Sequence, residues 1–493
     1  MKRPIPTHIG DARDTLDALL NRPANSDMKR RDLRVFRREA SVYFVDGMVS
    51  GEFLQRFVLA PCQERAEAPF EGDLASELIA TLPVAEAEEL ADTAAVASAL
   101  TSGKAVLIAD GMACGVSLDI RYFVRRGISP PLTESVVCGP HEGFNEALRD
   151  NVTLLRRMLP TELLVGEMIT VGDVIPTGVC ILSLSDRVDE ETLRRVKGRI
   201  AGIRRDHVLS IGEMEQLIED RPWALLPQCC LTERPDRAAS FLLEGQVVVL
   251  LDGSPRALAA PVSFLHLMHT PDDTAMRWQY GTLTRLIRMV GALLTLLLPG
   301  LFVAFTLFHP EALPVTLLTS VLESQAAVPL SIPGEMLLML FMLGLISEAG
   351  MRIPGMVGSS LGTVSGLILG QAAVNANLVH PLMIIVVAVA SLGNYALPNP
   401  SLAMAFRIGQ LLFVGAACLG GVYGMMLLFA VAAVRVCGMR SLGAPYAAPC
   451  APWRPHNPDL LTRQPLWHQR LTTWLGSAAH PLRSRGPMRR WDQ

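Results

Sequence analysis

Arg285-Leu-Ile-Arg-Met-Val-Gly-Ala-Leu-Leu-Thr-Leu-Leu-Leu-Pro-Gly-Leu-Phe-Val-Ala-Phe-Thr-Leu-Phe308 decides how the rest of this chain is read. Two arginines precede twenty residues without a charge. As a helix rising about 1.5 Å per residue, those twenty cover about 30 Å, the thickness of a bilayer's hydrocarbon core. Upstream the chain is written for water: residues 1–283 hold 41 Asp and Glu against 31 Lys and Arg, a net charge of −10. Residues 284–493 hold 6 against 13, a net of +7. From Met289 to Val434 the only charged side chains are Glu311, Glu323, Glu335, Glu348, Arg352 and Arg407. One chain serves two solvents: the expected fold is a soluble N-terminal head followed by an α-helical polytopic transmembrane domain.

The amino terminus has Lys2 and Arg3 but no apolar run after them, so no secretory signal is expected and the head should stay cytoplasmic. Nine cysteines are scattered without a CxxC pair, which argues against a disulfide framework or a zinc site. Residues 1–30 lack a sustained apolar period and are expected to form a flexible leader. Three stretches share one plan, an apolar run ending in Asp-Gly: Val42 to Gly47, Val106 to Gly111 and Val247 to Gly253. Asp-Gly between apolar runs signals a hairpin, so each is expected to turn into a following strand. Thr177 to Leu184 is a further strand candidate, and Leu193, Val196, Ile200 and Ile203 after it fall at helical spacing. The head therefore reads as α/β, with one subdomain over 31–137 and a second over 138–283; the membrane domain follows over 284–436 and a basic tail over 437–493.

Within the second subdomain, His141 to Arg157 predicts a helix with Phe144, Leu148, Val152, Leu155 and Leu159 inward, leaving Arg149, Arg156 and Arg157 outside that stripe. Arg156 and Arg157 are expected on a solvated face. Leu231-Thr-Glu-Arg-Pro-Asp-Arg237 reads as a helix start: Thr232 as N-cap, Pro235 in the first turn, Asp236 near the positive helix end. The alternative for Glu233, Arg234, Asp236 and Arg237 is a set of charge-assisted contacts across subunits or to the membrane-proximal segment. No phosphate-cradling GxxxxGK[ST], GxSxG or HExxH occurs, so neither an enzyme nor a cofactor or metal site is expected.

These two motifs carry a resemblance. With Arg204-Arg-Asp-His207 between them and Ser441-Leu-Gly-Ala-Pro-Tyr-Ala-Ala-Pro449 after the last apolar block, they closely resemble the A subunits of GerA-type spore germinant receptors. The resemblance covers roughly residues 138–465 in order. It implies a protein of the inner spore membrane that helps convert nutrient detection into ion release. It also implies a homo-oligomeric, nutrient-gated channel for monovalent cations, assembled with a transporter-like B subunit and a lipoprotein C subunit. Glu142, Gly143, Phe144, Asn151, Arg156 and Arg157, the residues Thr232 to Arg237, and Asp252 with Gly253 are the motif and interface candidates. The SpoVAF subgroup belongs to the same family and stands as an alternative; nucleic acid is not an expected partner.

The membrane part divides into apolar blocks at Met289 to Phe308, Met336 to Ile346, Met356 to Ala376, Pro381 to Leu397 and Ile408 to Val434. Arg285 and Arg288 hold the first span's start at the cytoplasmic face, and the Arg-rich tail belongs on the same side, so the number of crossings is even. Four spans follow if Met336 to Ile346 is re-entrant or interfacial; six follow if Leu313 to Leu322 also enters. Gly358, Gly362, Gly366 and Gly370 recur every four residues, with Ser359 and Thr363 beside them. Such a stripe either lets helices pack closely or lines and gates a pore. Gly420 and Gly424 repeat the small-residue spacing and read as structural. Glu348 and Arg352 are pore-vestibule or gating candidates, because charge near membrane depth is unfavourable unless paired or wet; the other reading is a membrane boundary. A secondary transporter would show paired repeats, and only one glycine ladder is present. A non-conducting signalling scaffold is the third reading.

Overall fold

The computed structural model describes residues 3–70, 72–122, 134, 139–325, 328–352, 366, 368, 370–453, 462–465, 467 and 469. The head holds two antiparallel five-stranded sheets. The first comprises β1 (Met28–Val35), β2 (Arg38–Val45), β3 (Ala87–Leu90), β4 (Ala105–Ala109) and β5 (Gly115–Leu118), in the order β1-β2-β4-β5-β3. The second comprises β6 (Leu164–Val171), β7 (Thr177–Leu184), β8 (Cys230–Thr232), β9 (Val247–Leu251) and β10 (Ala257–Ala260), in the order β6-β7-β9-β10-β8. The same plan is used twice: a hairpin, helices, an edge strand, one helix, then a hairpin inserted at the centre.

The central strands β4 and β9 are buried at every position. Their continuous apolar runs follow from having both sheet faces covered. On one face of the first sheet Val42 and Leu107 pack against Leu74 and Leu78; on the other, Tyr43, Val106 and Ile108 pack against Val96, Leu100, Ile9 and Leu16. Ile9 and Leu16 come from the segment expected to be a leader. It instead forms the helix Ile9–Leu19, with Ile9, Ala12 and Leu16 buried. Three apolar positions among polar ones make too weak a period to announce a helix, and the sheet they cover is supplied from residues further along the chain.

The Asp-Gly expectation holds at two of its three sites. Asp110-Gly111 joins β4 to β5 and Asp252-Gly253 joins β9 to β10, with Gly111 at φ +84° and Gly253 at φ +81°. Asp46-Gly47 does not start a hairpin: β2 already pairs with β1 before it, and after Gly47 the chain enters a helix at Gly51. The expected helix over 141–157 begins only at Leu148. Asn151 accounts for this, because its amide accepts from Asn145 N (2.9 Å) and donates to Asn145 O (2.6 Å), closing the preceding residues into a turn.

Arg156 corrects the expectation of a solvated face. It is among the most buried side chains in the molecule, 1% exposed. Its guanidinium donates to both Asp27 oxygens (2.7 Å each), to Asn25 Oδ1 (2.7 Å) and to Leu164 O (2.7 Å). This fork ties the second subdomain to the segment leading into β1. Arg157, next in sequence, pairs with Glu142 at the surface.

Among the described residues, the long apolar helices after the head are Trp278–Phe308, Ile332–Arg352, Pro381–Tyr395 and Pro400–Cys437, with the shorter Val315–Gln325 between the first two. Three helices among the described residues are long and apolar enough to cross a membrane, and Ile332–Gly350 is one of them, where an interfacial or re-entrant segment was expected. The helix extends beyond the apolar block at both ends, by Ile332 to Glu335 and by Ser347 to Gly350, which brings it to crossing length. Gly291 and Gly393 approach so closely that a side chain on Gly393 would collide with the Gly291 carbonyl, and Thr295 Oγ1 donates to Ala390 O (2.9 Å). Small residues at such crossings let backbones meet.

The last block, expected as one span, reverses direction. Gly420 and Gly421 leave helical geometry, Gly421 at φ +57°, and Gly424 is brought against the Ala416 carbonyl. Both ends of Pro400–Cys437 then face the head: Asn399 Nδ2 lies 3.8 Å from Cys230 Sγ, and Ser441 Oγ donates to Gln228 O (2.6 Å).

Arg156→Ala should destabilise the head by about 3 kcal/mol, because Asp27, mostly shielded from water, would be left without its counter-charge. Arg157→Ala should change stability by less than about 1 kcal/mol, as expected for a half-exposed pair. Denaturant midpoints of the two purified variants make the comparison. A second expectation concerns Glu215: burial, with Glu219 one turn further on, pushes its carboxyl up to about 7. The folded state keeps a proton that the unfolded chain releases, so stability falls as pH rises from about 4.5 to about 7. Glu215→Gln should therefore raise the free energy of unfolding at pH 8 by on the order of 2 kcal/mol, and leave it unchanged at pH 4.

Candidate functional site at the junction of head and membrane helices

The motif residues converge on one side of the second subdomain. Asp252 Oδ1 accepts from Leu148 N (3.2 Å) and Gly253 N donates to Glu146 O (2.8 Å), so the central hairpin caps the helix Leu148–Met158. Phe144 N donates to Glu233 O (2.9 Å), Gly143 and Phe144 are buried, and the Glu233 carboxylate meets Arg256 at 2.9 Å. Thr232 lies in β8 and is not the N-cap; its hydroxyl donates to Glu134 Oε2 (2.9 Å) and accepts from Arg234 N (3.1 Å). The helix is capped by Arg234 backbone and opens on Pro235, with Asp236 in its first turn as expected.

Arg234 and Arg237 are 2% and 4% exposed and look toward the membrane-proximal segment. Arg234 pairs with Asp236 (2.8 Å) and with Asp272 (3.1 Å). Arg237 donates to His269 O (3.0 Å) and pairs with Glu134 (3.4 Å). Both readings of this motif are met: a helix starts here, and its charged side chains contact the segment ahead of the first membrane helix. Burial alone would lower the Arg234 pKa; Asp236 and Asp272 outweigh it and raise it.

The segment they grip carries the residue on which the junction closes. Asp273 is 1% exposed and accepts from Arg288 (2.7 and 2.9 Å), Arg285 (3.3 Å) and Thr270 N (3.3 Å). Arg285 and Arg288 are three apart on the first membrane helix and so share a face. Burial pushes the Asp273 carboxyl up, but the Arg288 hydrogen bonds and the charges of Arg288 and Arg285 prevail and hold it below the usual carboxylate range. From the tail, Arg463 donates to the carbonyls of Asp273, Met276 (2.7 Å) and Thr274 (2.8 Å). Beside this node lies a cavity of about 590 Å³, lined by Arg237, His266, Arg285 and Arg463 among others.

A second attachment holds the chain where it leaves the membrane part. Ser441 Oγ accepts from Val262 N (2.9 Å), Tyr446 is fully buried, and Phe264 N donates to Tyr446 O (2.9 Å). The Ser441 to Pro449 motif is thus a strap on the head. Among the described residues no cluster of His, Cys, Asp and Glu could hold a metal. What the arrangement offers chemically is a buried, charge-paired joint.

The membrane candidates stay apart from it. Glu348 is exposed near the end of Ile332–Arg352, and the Arg352 side chain, Gly358, Ser359, Gly362 and Thr363 lie outside the described residues. A Cβ on Gly366 or Gly370 would meet nothing within 4 Å. Sequence reasoning took Arg285 and Arg288 only as topology markers and missed Asp273 and Arg463. The available signal was an acidic pair, Asp272-Asp273, shortly before two arginines at helical spacing.

Residues 14–473 match the family described as Bacillus/Clostridium GerA spore germination protein. The chain belongs to that family. It is 33% identical to spore germination protein B1 of Bacillus subtilis (strain 168) over 84% of this chain and 85% of the relative. It is 31% identical to spore germination protein KA of the same organism, over 90% and 82%. Its likeness to the crystal structure of the N-terminal domain of the A subunit of the Bacillus megaterium spore germinant receptor GerK3 covers 54% of this chain and 98% of that one, at 22% identity and a TM-score of 0.42.

Asp273→Asn in this GerA-family chain should loosen the joint, because Arg285 and Arg288 then share a buried site without an anion, at about 3 kcal/mol. The expected readout is faster tryptic cleavage at Arg285, with partial protection of that bond regained in Asp273→Asn combined with Arg288→Gln. In the wild type, the depressed carboxyl keeps the joint closed from neutral pH down to about 4, and protection should fade only below that.

Proposed function

We propose that this chain is the A subunit of a spore germinant receptor, an oligomeric, nutrient-gated channel for monovalent cations in the inner spore membrane. It works with a transporter-like B subunit and a lipoprotein C subunit, and its head and tail share the core side. The observation that carries this reading is the double attachment of the membrane part to one subdomain. Asp273 holds the first helix through Arg285 and Arg288, and Gln228 and Val262 hold the strap after the last helix through Ser441. A displacement of the head is thereby applied to both ends of the membrane part.

Helix directions support six crossings. Trp278–Phe308 and Pro381–Tyr395 are antiparallel, with Gly291 opposite Gly393 and Thr295 opposite Ala390. Ile332–Arg352 runs parallel to Pro381–Tyr395, with Glu335 Oε2 accepting from His380 N (3.0 Å) at one end and Ser347 Oγ 3.0 Å from Tyr395 OH at the other. The end of Ile332–Arg352 and the start of Pro381–Tyr395 thus lie at opposite ends of the bundle, and the reversal at Gly420-Gly421 adds a further pair of crossings. The even count favours head and tail on one side. Gly366 and Gly370, unopposed among the described residues, support a small-residue row free to face a neighbouring copy or a pore.

Reconstitution of the purified chain in liposomes, with potassium and sodium flux recorded, tests the reading. The wild type should conduct, Thr363→Val should change conductance without loss of assembly, and Gly366→Leu should reduce assembly. An assembled, inserted chain without flux would leave a non-conducting scaffold. External labelling of cysteines placed in head or tail should fail in intact membranes.

A further inference from the structure

A groove of about 950 Å³ lies where the head meets the first membrane helix and the two arms of the last one. Its walls are apolar, built from side chains such as Leu293, Leu296, Phe413 and Phe429. Charge enters the lining only at the head end, through Asp220, Arg221 and Arg435. Asp220 is already engaged, by Arg199 and by Gly443 N (3.1 Å). Arg221 and Arg435 form no ion pair among the described residues, and both are exposed. Beside them Trp223, on the head, is 100% exposed.

We infer that this groove binds an anionic phospholipid, with an acyl chain between the helices and the headgroup at Arg221 and Arg435. The depth argues for a lipid over a helix of another chain. The lining runs seven residue steps from Met289 to Leu296, eight from Ala405 to Phe413 and eleven from Leu428 to Met439. At about 1.5 Å per step that is roughly 10 to 16 Å, close to one leaflet of a core about 30 Å thick. A partner's transmembrane helix would need a groove running the full thickness. The polarity fits as well, with two arginines at the surface end and hydrocarbon below. A fully exposed indole at the same level is the usual occupant of the headgroup region. Bound lipid would also bridge the head loop at Trp223 to the arms of the last helix.

The inference rests on placing the apolar helices in a bilayer, so the test separates the two. Full-length chain is reconstituted into phosphatidylcholine vesicles containing graded phosphatidylglycerol, with brominated acyl chains on one lipid at a time. Trp223 quenching is obtained by difference from Trp223→Phe. Brominated phosphatidylglycerol should quench Trp223 at a mole fraction roughly tenfold below that needed for brominated phosphatidylcholine, given the pull of two surface arginines on anionic lipid. Arg221→Gln with Arg435→Gln should erase that preference, and Ala432→Phe, which fills the groove, should reduce quenching by both lipids. Equal quenching by the two lipids in the wild type would overturn the site. So would a Trp223 that no lipid quenches while Ala433→Cys cross-links between chains, which assigns the groove to a second copy. Failure of the wild-type chain to float with vesicles would instead overturn the bilayer placement.

Discussion

Asp273 is a carboxylate removed from water, held between two arginines of the first membrane helix and with its backbone carbonyl taken by an arginine from the tail. A charge in such a place is tolerable only while its partners stay in register. That requirement fixes where the helix begins relative to the head and ties the tail to the same point. Arg234 and Arg237 extend the constraint into the second sheet, since they hold Asp272 and the His269 carbonyl. Geometry at this joint is therefore specified by ion pairs more than by apolar fit. The adjoining apolar contacts, such as Phe264 against Phe406, fill the remaining space.

The head solves one problem twice. In each sheet the last hairpin inserts at the centre, so the most apolar strand is covered on both faces and the short strand is left at the edge. The first copy borrows the helix Ile9–Leu19 to cover one face; the second uses Leu148–Met158 and Pro235–Leu243 on its corresponding layer. The copies differ at their outer contacts: the second alone meets Leu397, Leu402, Met439 and Tyr446. Division of labour follows, with the second subdomain as the one that touches the membrane part and the first linked to it through the Arg156 fork.

Much of this was legible in the chain. Loss of charge after Arg288 announces the change of solvent, because hydrocarbon excludes charge wherever it occurs. Two Asp-Gly turns announce the central hairpins, because only a few residues tolerate the backbone such turns need. Other features were hidden for definite reasons. Asp46-Gly47 carries the same dipeptide, yet β2 had already found its partner upstream. Ile9–Leu19 has too few apolar positions to be seen without the sheet it covers. The last apolar block contains no charge or proline at its middle, so nothing but the backbone freedom of Gly420-Gly421 records that it turns back.

The sequence by itself determined the two-solvent architecture, the α/β character of the head and the residues of the family motifs, because composition, period and turn chemistry act over a few neighbouring positions. Only the tertiary structure decided that Arg156 is buried against Asp27 and that Arg285 and Arg288 close on Asp273. The same holds for the strap of Ser441 to Pro449 returning to the head. Each joins residues far apart in the chain or turns on which face of a helix meets water. An arginine reads alike as a solvated side chain, a topology marker or a buried ion, until the fold places its partner beside it.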